Sequence, residues 1–319
     1  MNLPLRKLAI VGASARAAAF SAIRAGCQVV AADLFADADL ARVADATRIA
    51  PYPDGLADWL AATPCDAWLY TGALENHPEL VDRMAALRPL WGSAGAALRA
   101  VRDPLALQAA LRDADIGLPE TRPAADGLPL DGSWLCKTYR GASRSGVWLL
   151  DGAAARQRAE TQQAVFQRRV PGEPYAAVFV ARAGRAALLG VTRQLVGWNP
   201  ARPFQYVGSI GPVELEPAVL REFDALGAPL ATRFALQGLV GVDFVLHDRR
   251  AWLVEVNPRY TASVEILERA AQRSAISLVA NWCSAGPPPA RPPGPGRPLL
   301  STVSHVHGKA IVFAPAAVP

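Results

Sequence analysis

Apolar residues in the first hundred positions come in short runs separated by segments with helical spacing. Lys7 to Val11 reads as a buried strand, Gly12-Ala13-Ser14 as a turn, and Ala15 to Ala25 as a helix closed by Gly26. Gln28 to Ala32 reads as a second strand ending in Asp33, and Ala67 to Tyr70 as a later one ending in Thr71-Gly72. Strands alternating with helices predict βαβ units and a parallel, doubly wound sheet. Ligands of such sheets sit beyond the carboxyl ends of the strands. Gly12, Ser14, Asp33, Thr71, Gly72, Glu75 and Asn76 are therefore candidates for one rim of a site. The segment Gly12-Ala13-Ser14-Ala15-Arg16 lacks the second and third glycines of a dinucleotide fingerprint, so NAD or FAD binding is disfavoured and Asp33 is read as a turn residue.

A new unit begins at Asp103, which caps a helix with Pro104 in its first turn, carries Leu105, Leu107 and Leu111, and is expected to stop at Gly117. Trp134 to Lys137 reads as a strand that delivers one lysine. The polar loop Tyr139 to Gly146 follows, then a return strand, Val147 to Leu150. Such a strand, loop and strand can clamp phosphates with backbone N–H groups and arginines; a surface hairpin with a mobile tip explains the loop equally well. Val165 to Glu173 is extended and ends in a turn, and Tyr175 to Val180 continues as a strand. Seven prolines between Gly286 and Pro298 predict a stiff connector. Ala310 to Phe313 is apolar enough to return as a strand.

Two acidic strands stand close together, Gly241 to Leu246 with Asp243 and Trp252 to Val256 with Glu255, the second leading into Asn257-Pro258-Arg259. Alternation along a strand puts Glu255 and Asn257 on one face and Val254 and Val256 on the other. Mg²⁺ takes hard oxygen ligands, usually one or two carboxylates plus substrate phosphates, so Asp243, Glu255 and Asn257 suffice for it. Arg259 adds a planar fork for phosphate oxygens. A hairpin ending in an Asn-Pro turn accounts for the same residues, and spacing alone leaves the two readings level.

Composition narrows the classes. With 51% hydrophobic and 19% charged residues, the 319-residue chain has the balance of a globular protein with a full core. Its net charge of +5 is spread without a basic run, which argues against nucleic acid as a partner. The cysteines Cys27, Cys65, Cys136 and Cys283 form no C-x-x-C pair, so neither a zinc site nor a disulfide framework is indicated, and a reducing, cytoplasmic setting is expected. No apolar run is long enough to span a membrane.

Taken together, these pieces resemble the ATP-grasp superfamily, in the arrangement shared by biotin carboxylases and carboxylate-amine ligases. The specific element is a carboxylate strand followed about a dozen residues later by Glu255-Val256-Asn257-Pro258-Arg259. The resemblance implies an α/β (α+β) ATP-grasp fold with a Rossmann-like pre-ATP-grasp domain over residues 1–101. An ATP-grasp domain would span 102–285, with a lid over about 120–182 and a catalytic lobe over about 183–285; the Pro-rich connector and C-terminal strand would fill 286–319. By the same resemblance Lys137 is the lid lysine that grips the phosphates of ATP, and Arg140 to Gly146 stands in for the glycine-rich loop. Phe166 to Val170, with Gln167 and Arg168, matches the hinge that reads adenine, and Glu173 the carboxylate that takes the ribose. Asp243, Glu255 and Asn257 match the ligands of two Mg²⁺ ions, and Arg259 the residue that steadies the transferring phosphoryl group. Many relatives carry a lysine near Asp103-Pro104; here Arg102 is the available substitute. The residues after Arg259 lack the Gln-Val-Glu of biotin carboxylases, which weakens bicarbonate chemistry.

Four stretches resemble a narrower group, the predicted ATP-dependent ligases linked to methanopterin- and methanofuran-type C1 carriers in methanogens and methylotrophic bacteria. They are Thr192 to Gly197, Phe204 to Pro212, Asn257 to Ser263 and His307 to Val312. That resemblance implies an ADP-forming ligase joining a small-molecule carboxylate to an amine, with glutamate and tyrosine or tyramine as the pair. Arg193, Tyr206, Ser209 and Glu75 are the candidate substrate contacts. Glu265 or His307 could accept the amine proton, although an acidic Glu265 also suits the first turn of a helix through Ile266 and Leu267. Related folds often dimerise, so a homodimer is an open expectation. A carboxylase and a non-catalytic ATP-binding module are the competing readings.

Overall fold

The computed structural model describes residues 6–139, 141, 146–197, 199–200, 202–283, 298–300 and 305–311. Four short strands open it: Lys7–Val11 (β1), Gln28–Asp33 (β2), Asp45–Arg48 (β3) and Ala67–Tyr70 (β4). They pair in parallel in the order β3-β2-β1-β4, as the alternation with helices α1 (Arg16–Arg24), α2 (Ala38–Ala41), α3 (Leu56–Ala62), α4 (Pro78–Leu87) and α5 (Gly95–Val101) requires. Asp33 is a turn residue with a fixed task. It is buried, accepts from the Ala15 N–H at 2.8 Å, and ties the chain after β2 through the N–H groups of Phe35 and Ala36.

Helix α6 (Pro104–Ala110) starts where the sequence predicts, with the Asp103 carboxylate accepting from the N–H groups of Leu105 and Ala106. It ends before the expected stop. Gly117 is used instead for close approach, bridging to Trp252, where an added Cβ would lie 2.7 Å from the Ala251 carbonyl oxygen. Strands β5 (Thr121–Arg122), β6 (Trp134–Lys137) and β7 (Val147–Leu149), helix α7 (Ala153–Thr161) and strand β8 (Val165–Arg168) follow. They form a small antiparallel sheet, β5-β8-β6-β7, with its own core of Trp134, Cys136, Leu150, Ala159 and Phe166.

A six-stranded antiparallel sheet in the order β13-β12-β9-β10-β11-β14 fills the rest. Its strands are β9 (Glu173–Arg182), β10 (Arg185–Val196), β11 (Tyr206–Gly211), β12 (Gly238–His247), β13 (Arg250–Asn257) and β14 (His307–Ala310), with helices α8 (Pro217–Arg233), α9 (Ala262–Ala271) and α10 (Ala275–Cys283). Because side chains alternate, Ala177, Phe179 and Ala181 of β9 enter the core beneath α8. Val178 and Val180 enter the other core, which holds α9, α10 and the β1 and α1 residues Leu8, Ile10 and Ala18. That second core joins the parallel sheet to the large one. Two expectations shift. Strand β9, within the range assigned to the lid, runs in the large sheet, because its apolar residues pack on both faces there. The C-terminal strand starts earlier than Ala310, since β14 pairs through His307–Ala310 with β11, while Val312 and Phe313 lie outside the described residues. The Pro-rich connector lies outside the described residues apart from Pro298, and no helix among the described residues is long and apolar enough to cross a membrane.

Candidate functional site

Antiparallel pairing of β12 with β13 sets Asp243 opposite Glu255 and Gly241 opposite Asn257. A bulge then breaks the alternation, since Phe244 pairs with Leu253 and Val254 is left as the extra residue. Val254, expected on the core face, lines the same cleft as Glu255 and Asn257. Its carbonyl accepts from the Lys137 Nζ at 2.8 Å, and Lys137 also donates to Gln167 Oε1 at 3.2 Å. The lysine of the small sheet is thereby seated over the acidic strands of the large one, across a cleft of about 370 Å³.

Three cations gather around these strand ends. Arg102, at the end of α5, places Nη1 3.2 Å from Glu255 Oε1 and 3.5 Å from Asn257 Oδ1, and its Nη2 donates to Asn76 and to the Gly141 carbonyl. Arg259 donates through Nη2 to Asn257 Oδ1 at 3.3 Å and through Nε to Glu75 Oε1 at 2.6 Å. Burial alone would lower the Arg259 pKa, but Glu75, Glu255 and Asp243 outweigh it and hold the guanidinium charged. Tyr70 of β4 fixes the turn that carries Arg259, its hydroxyl donating to the Pro258 carbonyl at 3.1 Å. Lys137 is the third.

The donor chemistry fits a hard divalent cation. Asp243 and Glu255 stand opposite each other, and Asn257, two residues on, adds an amide oxygen at the same strand end. Asp243 Oδ1 accepts from Gln194 Nε2 at 2.9 Å and Oδ2 from Asn257 Nδ2 at 3.3 Å, which orient its carboxylate.

Ser14, Thr71, Gly72, Lys137, Gln167, Tyr206, Asp243, Glu255, Asn257 and Arg259 come together as cleft wall. Others do not. Glu75 is buried behind Arg259, so it is a partner of the arginine rather than a substrate contact. Ser209 is buried as well and bonds to the Tyr206 hydroxyl at 2.9 Å. Arg193 and Glu173 are about half exposed and pair with each other away from the cleft. Neither Arg168 nor Val170 lines it, because β8 turns Gln167 inward and Arg168 to solvent. Arg140 lies outside the described residues. Glu265 begins α9 and is bound by Lys309 at 2.6 Å and Arg269 at 3.0 Å. Burial would raise its pKa, but these two cations lower it, which unsuits it to accept a proton. The sequence reading missed Gln194, although it sits in β10 one residue past Arg193 with opposite direction, and Thr121, which accepts from Gln167 Nε2 at 3.2 Å.

A model of the ATP-grasp domain matches residues 101–263. The carbamoyl phosphate synthase large chain of Helicobacter pylori (strain ATCC 700392 / 26695) is 34% identical over 59 residues, which is 18% of this chain and 5% of that protein. The chain thus spans a small part of that curated relative. Among solved structures, the ADP complex of N5-carboxyaminoimidazole ribonucleotide synthetase superposes with a TM-score of 0.69 at 19% identity, covering 88% of this chain and 77% of that one. The biotin carboxylase domain dimer of Hydrogenobacter thermophilus 2-oxoglutarate carboxylase, solved with MgADP, ADP and bicarbonate, gives 0.73 at 13% identity, covering 90% and 72%.

Proposed function

The chain belongs to the ATP-grasp family, and from that premise we propose that it is an ADP-forming carboxylate-amine ligase. One observation carries the reading: Lys137 of the small sheet reaches the bulge of β13 directly beside the paired carboxylates Asp243 and Glu255.

A carboxylate does not condense with an amine in water because its leaving group would be oxide. ATP supplies the remedy, with Mg²⁺ neutralising its phosphates: a carboxylate oxygen attacks the γ-phosphorus, the bond to ADP breaks, and an acyl phosphate results. The amine nitrogen then attacks the acyl carbon, inorganic phosphate departs, and the amine loses its proton. In this chain Asp243, Glu255 and Asn257 would hold two metal ions, and Lys137, backed by Gln167, would grip phosphate oxygens. Arg259 would stabilise the charge that develops on the acyl group and the departing phosphate. The first step needs no base, and an α-amino group, which titrates near ~8, is partly neutral at pH 7 and can enter the second without one. The lid would exclude water from the acyl phosphate.

The finer reading is amide formation in the assembly of a methanofuran- or methylofuran-type C1 carrier, joining glutamate to tyrosine or tyramine, by a cytoplasmic homodimer. Its support is the resemblance of Thr192 to Gly197, Phe204 to Pro212, Asn257 to Ser263 and His307 to Val312 to ligases of that group. The test is ADP and phosphate release that requires both an acid and an amine, with the amide identified by mass spectrometry across glutamate, tyrosine, tyramine and pterin-linked acceptors. Full turnover by Glu255→Ala would overturn the ligase reading. Turnover with other pairs alone would overturn the finer one.

A further inference from the structure

One cation in the cleft wall has no part in the chemistry above. Lys309 lies on β14, opposite Ser209 of β11, and faces the cleft together with Tyr206, Ser263 and Ile311. Its ammonium is 2.6 Å from Glu265 Oε2, and the Lys309 side chain keeps 33% of its exposure while that of Glu265 keeps 10%. Glu265 is held a second time, by Arg269 at 3.0 Å. Glu265 therefore retains Arg269 as a partner if Lys309 turns to a ligand. Lys137, Arg102 and Arg259 all approach Asp243, Glu255 and Asn257 or the bulge beside them, whereas Lys309 approaches from the opposite edge of the six-stranded sheet.

We propose that Lys309 recognises a second anionic group of the acid substrate, so that the ligase takes dicarboxylate-type acids, one carboxylate being activated beside Arg259 and the other held by Lys309. The inference rests on the ligase reading and deepens it. An ammonium is a compact point charge with three donors on a flexible stem, suited to a ligand carboxylate that arrives with the substrate. In a partly desolvated cleft a charge-assisted hydrogen bond of this kind changes affinity about 10- to 100-fold. The Tyr206 hydroxyl, already bonded to Ser209, offers a polar neighbour on the same wall.

The experiment is calorimetry on the full chain with Mg²⁺ and the β,γ-imido analogue of ATP, titrating glutarate or butyrate. The wild type should bind glutarate about 10- to 100-fold more tightly than butyrate. Lys309→Met should bring glutarate down to the butyrate level, with butyrate and the nucleotide analogue binding as in the wild type, and Lys309→Arg should keep most of the preference. A wild type without preference would overturn the inference whatever the variants do. So would an equal loss of both acids in Lys309→Met, the outcome of a purely structural lysine tying β14 to α9. If the wild type fails to bind the nucleotide analogue, the ligase reading falls; if it binds the analogue but does not discriminate, only the dicarboxylate inference falls.

Discussion

Glu75 stands directly behind Arg259, with its Oε1 2.6 Å from the Arg259 Nε and its side chain fully buried. The two come from different sheets' ends, Glu75 from the turn after β4 and Arg259 from the turn after β13. The pair therefore fixes the arginine relative to both. Glu75 Oε2 is buried with no hydrogen-bond partner among the described residues, so the carboxylate's environment rests on this one contact.

Removing Glu75 takes the hydrogen-bonded carboxylate from a mostly buried guanidinium and leaves it only the more distant charges of Glu255 and Asp243. Breaking such a pair costs about 3–5 kcal/mol, so Glu75→Ala should lower the urea unfolding free energy by about that much. Glu75→Gln, which keeps a hydrogen-bond acceptor, should lose less stability yet still lower kcat, because Arg259 would be less firmly aimed. Equal stability of wild type and Glu75→Ala would show that the pair is not formed in solution.

Lys137 bridges the small sheet to β13 through Gln167 and Val254. Lys137→Met should raise the KM for ATP and lower kcat/KM by about 10²-fold, the usual loss for one preorganised electrostatic donor. Steady-state kinetics with ATP varied would check this, with circular dichroism showing that the fold is kept.

Binding to the folded state alone raises stability by about 2.7 kcal/mol at a hundredfold excess over Kd. Mg²⁺ and ATP together should therefore raise the melting temperature of the wild type. Glu255→Gln should remove most of that rise, and Asp243→Asn should do the same, since both carboxylates are needed for the hard-oxygen set. ATP added with EDTA should give the variants' small response in the wild type.

Glu268 reports on the joint between α1 and α9. It is buried, and its carboxylate accepts from Ser21, the Ala275 N–H, Arg24 and Tyr260. Burial pushes its pKa up, and these four contacts recover only part of the cost. The folded state thus holds this proton more tightly than the unfolded chain does. Its contribution to stability is full below the ordinary glutamate pKa and is lost as pH rises through the elevated folded value. Unfolding free energies measured from pH 4 to pH 8 should show this fall in the wild type and a flatter profile in Glu268→Gln.

Much of the fold and the core of the candidate site were legible in the sequence, for local reasons. Alternation of apolar runs with helical spacing dictates the parallel sheet, Asp103-Pro104 dictates the start of α6, and the acidic strands ending in Asn257-Pro258-Arg259 dictate which residues meet at one strand end. What the sequence could not decide depends on register and on contacts between distant segments. The bulge at Val254 turns a core-facing valine into the seat of Lys137, and only the pairing of β12 with β13 creates it. Glu75 looked like a rim residue because it follows β4, yet packing buries it against an arginine 184 positions later. Glu173 and Arg193 pair with each other at the surface, and Lys309 enters the cleft, because neighbouring strands in the large sheet are far apart in the chain. Local pattern determined which polar and charged side chains stand at the strand ends; long-range packing decided which of them face one another and which face the cleft.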